Sequence, residues 1–194
     1  LRLLEQDPAH EFKVTAAAPM AGPYAISSSI DEVVGQPSRH SAGEAAYILV
    51  GLNPIYKFYA RPSEAFQEPY ASKIEALMDG SHPSPEVFAY LSMTPAELIQ
   101  PQFLKAILLN HDHPVNVGLR ANDVFEWIPD STIPIRLYHG KADVEVPFSN
   151  SEKAFYYMKG KGAQIELINL GDTVNHAMGF PLAIGQAALW FETF

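Results

Sequence analysis

The 194 residues contain no cysteine. That excludes disulfides, thiolate metal sites and a cysteine nucleophile, and it leaves the compartment open between secreted or periplasmic and cytoplasmic. Basic residues are scarce as well, 13 lysines and arginines against 22 acidic residues, for a net charge of -9. The densest basic group, Lys153, Lys159 and Lys161, is spread around a turn. A nucleic-acid backbone needs clustered cations, so nucleic acid is not an expected partner. Long apolar runs are missing too: no stretch approaches the roughly 20 residues that a membrane span requires. There is no charged-then-apolar leader and no initiator methionine, so the sequence is expected to begin downstream of a gene's start.

What remains is globular in character. Hydrophobic residues make up 47% and charged residues 18%, enough apolar surface for a real core and too little charge for disorder. The length suits one domain and is short for two.

Along the chain, three kinds of segment follow one another. Leu1 to Gln6 reads as the end of an amphipathic helix, stopped by Asp7-Pro8. Phe12 to Ala18 is a small apolar segment of strand length, closed by Pro19 and Gly22-Pro23, and its alanines suit a central strand. From about Ser27 to Asp130 helical spacing takes over, in Gly43 to Tyr59, Glu68 to Met78, Pro85 to Leu91, Thr94 to Leu109 and Asn116 to Trp127. Thr94-Pro95-Ala96-Glu97 is a capping box with proline at the first helical position. The last third alternates: a strand at Ile133 to Tyr138, a helix at Ser149 to Lys159, a strand at Gln164 to Ile168 and an apolar helix at Pro181 to Phe194. Strand, helix, strand, helix with short connections is the signature of a parallel sheet.

Two stretches in that last third carry chemistry. Pro134 to Pro147, PIRLYHGKADVEVP, places Asp143 in a glycine turn just past a strand, and NHAMG places His176 in a loop after the next strand. In open parallel sheets, ligands gather beyond the carboxyl ends of the strands. Adjacent strands lie about 4.8 Å apart, so the loops leaving them can bring a carboxylate and an imidazole together. Such a pair is the orienting acid and the general base of a nucleophilic hydrolase. Glu145 is a rival carboxylate, one step nearer the following helix. The third partner would be a serine on a sharp G-x-S-x-G turn, and the sequence has none. Ser27, Ser28, Ser29 and Ser38 lack the flanking glycines and read as loop and cap.

Other histidines have simpler readings. His111-Asp112-His113 spaces two imidazoles for a metal, but it sits before Pro114 with no further ligands in view, so a solvated turn is expected. His139 ends a strand beside Gly140 and reads as a packed, hydrogen-bonded histidine. Neither a metal nor a cofactor is expected.

HGKADVEVP followed by NHAMG resembles the acid and histidine segments of the α/β-hydrolase superfamily, in particular esterases and lipases related to the prolyl-oligopeptidase group. There an H-G-x-x-D-x-x-V-P segment follows the seventh strand and the histidine follows the eighth. The resemblance implies that Asp143 is the triad acid and His176 the triad base, with His139, Gly140, Val146 and Pro147 as scaffold around the acid. LRLLEQDPAHEFKVTAAAPMAGPY looks like the helix behind the nucleophile and then the sixth strand. The implied fold class is α/β: the C-terminal part of an α/β-hydrolase parallel sheet of about three strands, near residues 12–18, 133–138 and 164–169, with a helical lid insertion. Residues 1–26 and 131–194 would form the partial core and 27–130 the lid.

The implied function is that of a serine hydrolase acting on a small-molecule carboxylic ester, its nucleophile upstream of Leu1, with these residues alone nearly inactive. A serine peptidase of the prolyl-oligopeptidase type and a non-catalytic hydrolase-like binding module are the alternatives. The open edge of the sheet is expected to be covered by the N-terminal half of the hydrolase or by another copy of the chain.

Overall fold

The computed structural model describes residues 1–7, 9, 13–28, 30–35, 39–91 and 94–194. In chain order the helices and strands are α1 (Arg2–Glu5), α2 (Ile30–Gly35), α3 (Arg39–Tyr56), α4 (Pro62–Ala65), α5 (Ile74–Leu77), α6 (Ser84–Tyr90), α7 (Pro95–Leu98), α8 (Pro101–Leu109), α9 (Pro114–Ala121), β1 (Ile135–His139), α10 (Ser149–Gly160), β2 (Ile165–Asn169) and α11 (His176–Phe191). They fall into two compact units, one formed by Leu1–Ile26 with Asp123–Phe194, the other by Ser27–Asn122. The first is the C-terminal part of an α/β-hydrolase-like fold, with parallel strands and crossing helices.

In that unit β1 and β2 pair in parallel, Ile135 opposite Ile165 through His139 opposite Asn169. The two-residue period sorts β1 between two layers. Ile135 and Leu137 pack with Ala154 and Met158 of α10, and with Phe125, Ile133 and Ile165. Tyr138 points the other way, against Ala183 and Ala187 of α11. Small residues at 183 and 187, one turn apart, let α11 lie close on the sheet.

A third parallel segment runs along the free side of β1, but as two separate bridges, Ala17 to Ile135 and Met20 to Tyr138. The reason is one missing amide. Ala17 N–H donates to Pro134 O (3.0 Å), Arg136 N–H to Ala17 O (2.9 Å), Tyr138 N–H to Pro19 O (2.9 Å) and Ala21 N–H to Tyr138 O (2.9 Å). The rung between them would need an N–H from residue 19, and proline has none. Phe12, where the sequence pattern starts this strand, lies outside the described residues.

The helical unit departs from its sequence pattern where side chains claim the backbone. Thr94 to Leu109 is two helices, α7 and α8, and not one. Ile99 leaves α7 to form an antiparallel bridge with Phe66, and Pro101 disfavours helical geometry at Gln100. The Gln67 side chain donates to Ala96 O and Ile99 O, and that of Gln100 to Ser63 O and Phe66 O, so the two crossing segments are tied from both sides. In the stretch from Glu68 to Met78, helix is confined to α5. Before it, the Pro69 carbonyl accepts from the Ser72 and Tyr90 hydroxyls, and the chain turns. Helix α9 starts at Pro114, under a cap from His113, and ends at Ala121, capped by Asn122, whose side chain donates to Gly118 O at 2.7 Å.

Candidate active site

The carboxyl ends of β1 and β2 lead into two loops held together by main-chain bonds. Leu170 N–H donates to His139 O (2.9 Å), Lys141 N–H to Gly171 O (3.1 Å) and Ala142 N–H to Val174 O (3.1 Å). One loop carries Asp143. The other ends at Asn175, which caps α11 by accepting the Met178 N–H on its side-chain oxygen at 3.0 Å. His176 is therefore the first residue of a helix, where the sequence pattern puts it in a loop and starts the helix at Pro181. Pro181 lies inside the helix, where it withholds one amide from the ladder, and the start signal comes from Asn175, six residues earlier.

The two loops bring the chosen residues together. His176 Nδ1 lies 2.7 Å from Asp143 Oδ2. A carboxylate offers no proton when ionised, so Nδ1 is the donor and Nε2 is left as the basic nitrogen. The His176 side chain is 38% exposed and its Nε2 makes no hydrogen bond to the described residues, whereas the Asp143 side chain is 1% exposed. A fixed, buried carboxylate behind a half-open imidazole is the geometry that selects one tautomer and stabilises the imidazolium that forms when a proton is taken.

Every acceptor position on Asp143 is used. Oδ1 takes the amides of Glu145 (3.0 Å) and Val146 (2.9 Å); Oδ2 takes His176 and, at 3.1 Å, Nε2 of His139. Burial alone would raise the carboxyl's pKa, but the bond from His139, the Val146 amide and the His176 imidazole together hold it below the ordinary value. Glu145, the rival carboxylate, contributes its main-chain N–H to Asp143.

The remaining candidates have local partners or fall outside the described residues. His113 is a helix cap, its Nδ1 accepting the Val115 N–H at 3.3 Å and its ring edge-on to Phe103, and burial lowers its pKa. Ser27 and Ser28 lie in a short 3-10 turn, Ile26–Ser28, while Ser29 and Ser38 fall outside the described residues. Among the described residues no group of three metal-ligating side chains converges, and no helix is long and apolar enough to cross a membrane. A cavity of about 560 Å³ lies away from the pair, lined by Leu4, the stretch from Lys13 to Ala16, Phe191 and Phe194. His139 is the residue whose part the sequence understated: it is fully buried and bonded at both ring nitrogens.

Known proteins are similar to the chain in structure. No protein family matches the sequence, and no curated protein matches it either. Among solved structures, a Legionella pneumophila protein described as a hydrolase superposes with a TM-score of 0.88 at 24% identity, over 99% of this chain and 51% of its own. The rice cell wall degrading esterase LipA from Xanthomonas oryzae superposes with a TM-score of 0.86 at 25% identity over 98% of this chain and 54% of its own. Another LipA structure gives 0.81 at 26% identity, over 97% and 51%. The chain thus spans about half the length of the solved structures it matches.

Proposed function

We propose that these residues supply the acid and base of a serine hydrolase acting on carboxylic esters. The observation that carries the reading is the 2.7 Å bond from Nδ1 of a half-exposed His176 to a buried Asp143 carboxylate, which leaves Nε2 without a hydrogen bond to the described residues. A hydroxyl in front of Nε2 would give up its proton to the imidazole as it attacks an ester carbonyl. Asp143 holds the ring and balances its charge, and the imidazolium then returns the proton to the leaving alkoxide.

The attacking serine, and the donors that would stabilise the oxyanion, belong to residues outside this sequence: the 194 residues hold no G-x-S-x-G, and the matched structures are about twice as long. The H-G-x-x-D-x-x-V-P residues from His139 to Pro147 favour kinship with the prolyl-oligopeptidase group. Within this reading the helical unit is the lid that such hydrolases carry. The outer edge of residues 13–20, with which no strand pairs among the described residues, belongs against further strands of the same hydrolase.

The test is hydrolysis of aryl esters of graded acyl length, against dipeptide amides, by the protein that carries this segment. His176→Ala should abolish turnover with the fold intact. Undiminished ester hydrolysis by that variant would end the reading, and amide turnover exceeding ester turnover would move it to a peptidase.

A further inference from the structure

His139 sits at the end of β1 on the face that looks toward α10, fully buried. It is four residues from Asp143 and is not needed to orient His176 directly. Its ring is nevertheless bonded at both nitrogens. Nε2 faces two acceptors at once, Asp143 Oδ2 at 3.1 Å and Val146 O at 2.9 Å. Nδ1 lies 2.7 Å from the Ser151 hydroxyl on α10, and Ser151 is itself fully buried. The Phe148 ring packs beside the imidazole with centroids 5.4 Å apart.

One proton arrangement satisfies all of these atoms. Val146 O and the carboxylate accept, so Nε2 must carry a hydrogen. Ser151 then donates its hydroxyl hydrogen to a bare Nδ1. A proton on Nδ1 would instead leave the Ser151 hydrogen buried without an acceptor among the described residues, which is unfavourable. The serine thus selects the tautomer of His139, and the tautomer aims an N–H at the oxygen that also receives His176.

We infer that His139, with its tautomer fixed by Ser151, is a positioning residue for the hydrolase chemistry: it clamps Asp143 Oδ2 where His176 Nδ1 must find it. The inference rests on the hydrolase reading above and adds to it a second, buried histidine that never meets substrate. With the Glu145 and Val146 amides on Oδ1 and two imidazoles on Oδ2, the carboxylate cannot rotate without breaking bonds. Remove His139 and Oδ2 keeps a single donor, the imidazole whose other nitrogen takes and returns the proton.

The experiment compares His139→Leu, His139→Gln and Ser151→Ala with Asp143→Asn and His176→Ala, on an aryl ester. His139→Leu should lower kcat by about tenfold to a hundredfold, the loss of one charged hydrogen bond, with KM unchanged. His139→Gln, whose side-chain amide can donate to Oδ2, should restore most of it, and Ser151→Ala should show a smaller loss in the same direction. A leucine variant as active as the glutamine variant overturns the inference. Imidazole ¹⁵N spectra of the unmutated protein give a readout free of folding defects. They should show Nε2 protonated and Nδ1 bare at His139, and a proton on Nδ1 overturns the inference. In the same spectra the downfield His176 Nδ1–H resonance should shift in His139→Leu and stay put in His139→Gln. If Asp143→Asn and His176→Ala keep full activity, the hydrolase reading is what fails; if they lose it while His139→Leu keeps kcat, the clamp alone fails.

Discussion

Gly140 lies so close under Val174 that a β-carbon there would collide with the Val174 carbonyl oxygen. The contact sits at the mouth of both loops, one residue past β1 and two residues before His176. The same Val174 carbonyl accepts the Ala142 N–H, so the oxygen that would be struck is the one that joins the loops.

Gly140→Ala is therefore expected to push the loops apart. Overpacking of this kind costs about 1–3 kcal/mol, and denaturant unfolding should register it. Because Asp143 and His176 lie on opposite sides of the contact, ester hydrolysis should fall by more than the small unfolded fraction explains. A variant that loses stability and keeps full kcat would show that the loops adjust without separating the pair.

Asp143→Asn keeps the size of the side chain and changes its chemistry. An amide can present its N–H₂ to His176 and favour the wrong tautomer, so kcat should drop on the order of 10³- to 10⁴-fold with little change in the fold. Steady-state kinetics beside a circular dichroism spectrum check both halves of this expectation.

The sequence made the sheet and the pair legible for definite reasons. Ile135 to His139 and Ile165 to Asn169 are short apolar runs bounded by glycine and proline, and Asp143 and His176 follow them at the ends where parallel sheets place their ligands. His139 was harder to read, because a histidine ending a strand carries no periodic signal and its bonds reach Ser151, Asp143 and Val146, which only the folded loop brings near. The helices of residues 27–122 blurred for a similar reason. Gln67 and Gln100 stop helices by binding carbonyls about 30 positions away, and no local propensity encodes that.

Acid stability should carry the mark of Asp143. Its pKa in the folded protein lies below the ordinary carboxylate value, since the His139, Val146 and His176 donors outweigh the opposing effect of burial. In the unfolded chain it returns to about 3.9. Between the two values the unfolded state binds more protons, so stability rises with pH there. The contribution is fully present above the unfolded value and is lost as pH falls through the folded one. Unfolding free energies measured from pH 5 downward should fall more steeply for the parent than for Asp143→Asn, and parallel curves would assign the acid sensitivity elsewhere.

The start of α11 ties stability and chemistry to one side chain. Asn175 has extended backbone angles, φ -89° and ψ -179°, and its oxygen accepts the Met178 N–H, so the helix begins at His176 and the imidazole leaves from a fixed first turn. Asn175→Ala removes that acceptor, and losing an N-cap costs about 1 kcal/mol. The first turn of α11 would fray, since Pro181 already withholds one amide from the following turn. His176 would then sample positions away from Asp143, so kcat should fall several-fold beyond what the stability change explains. Asn175→Asp and Asn175→Ser, which cap by the same bond, should keep both stability and kcat near the parent's. Thermal unfolding and ester kinetics on the three variants check the ordering, and an alanine variant matching serine in kcat would show that Asp143 alone suffices to hold the imidazole.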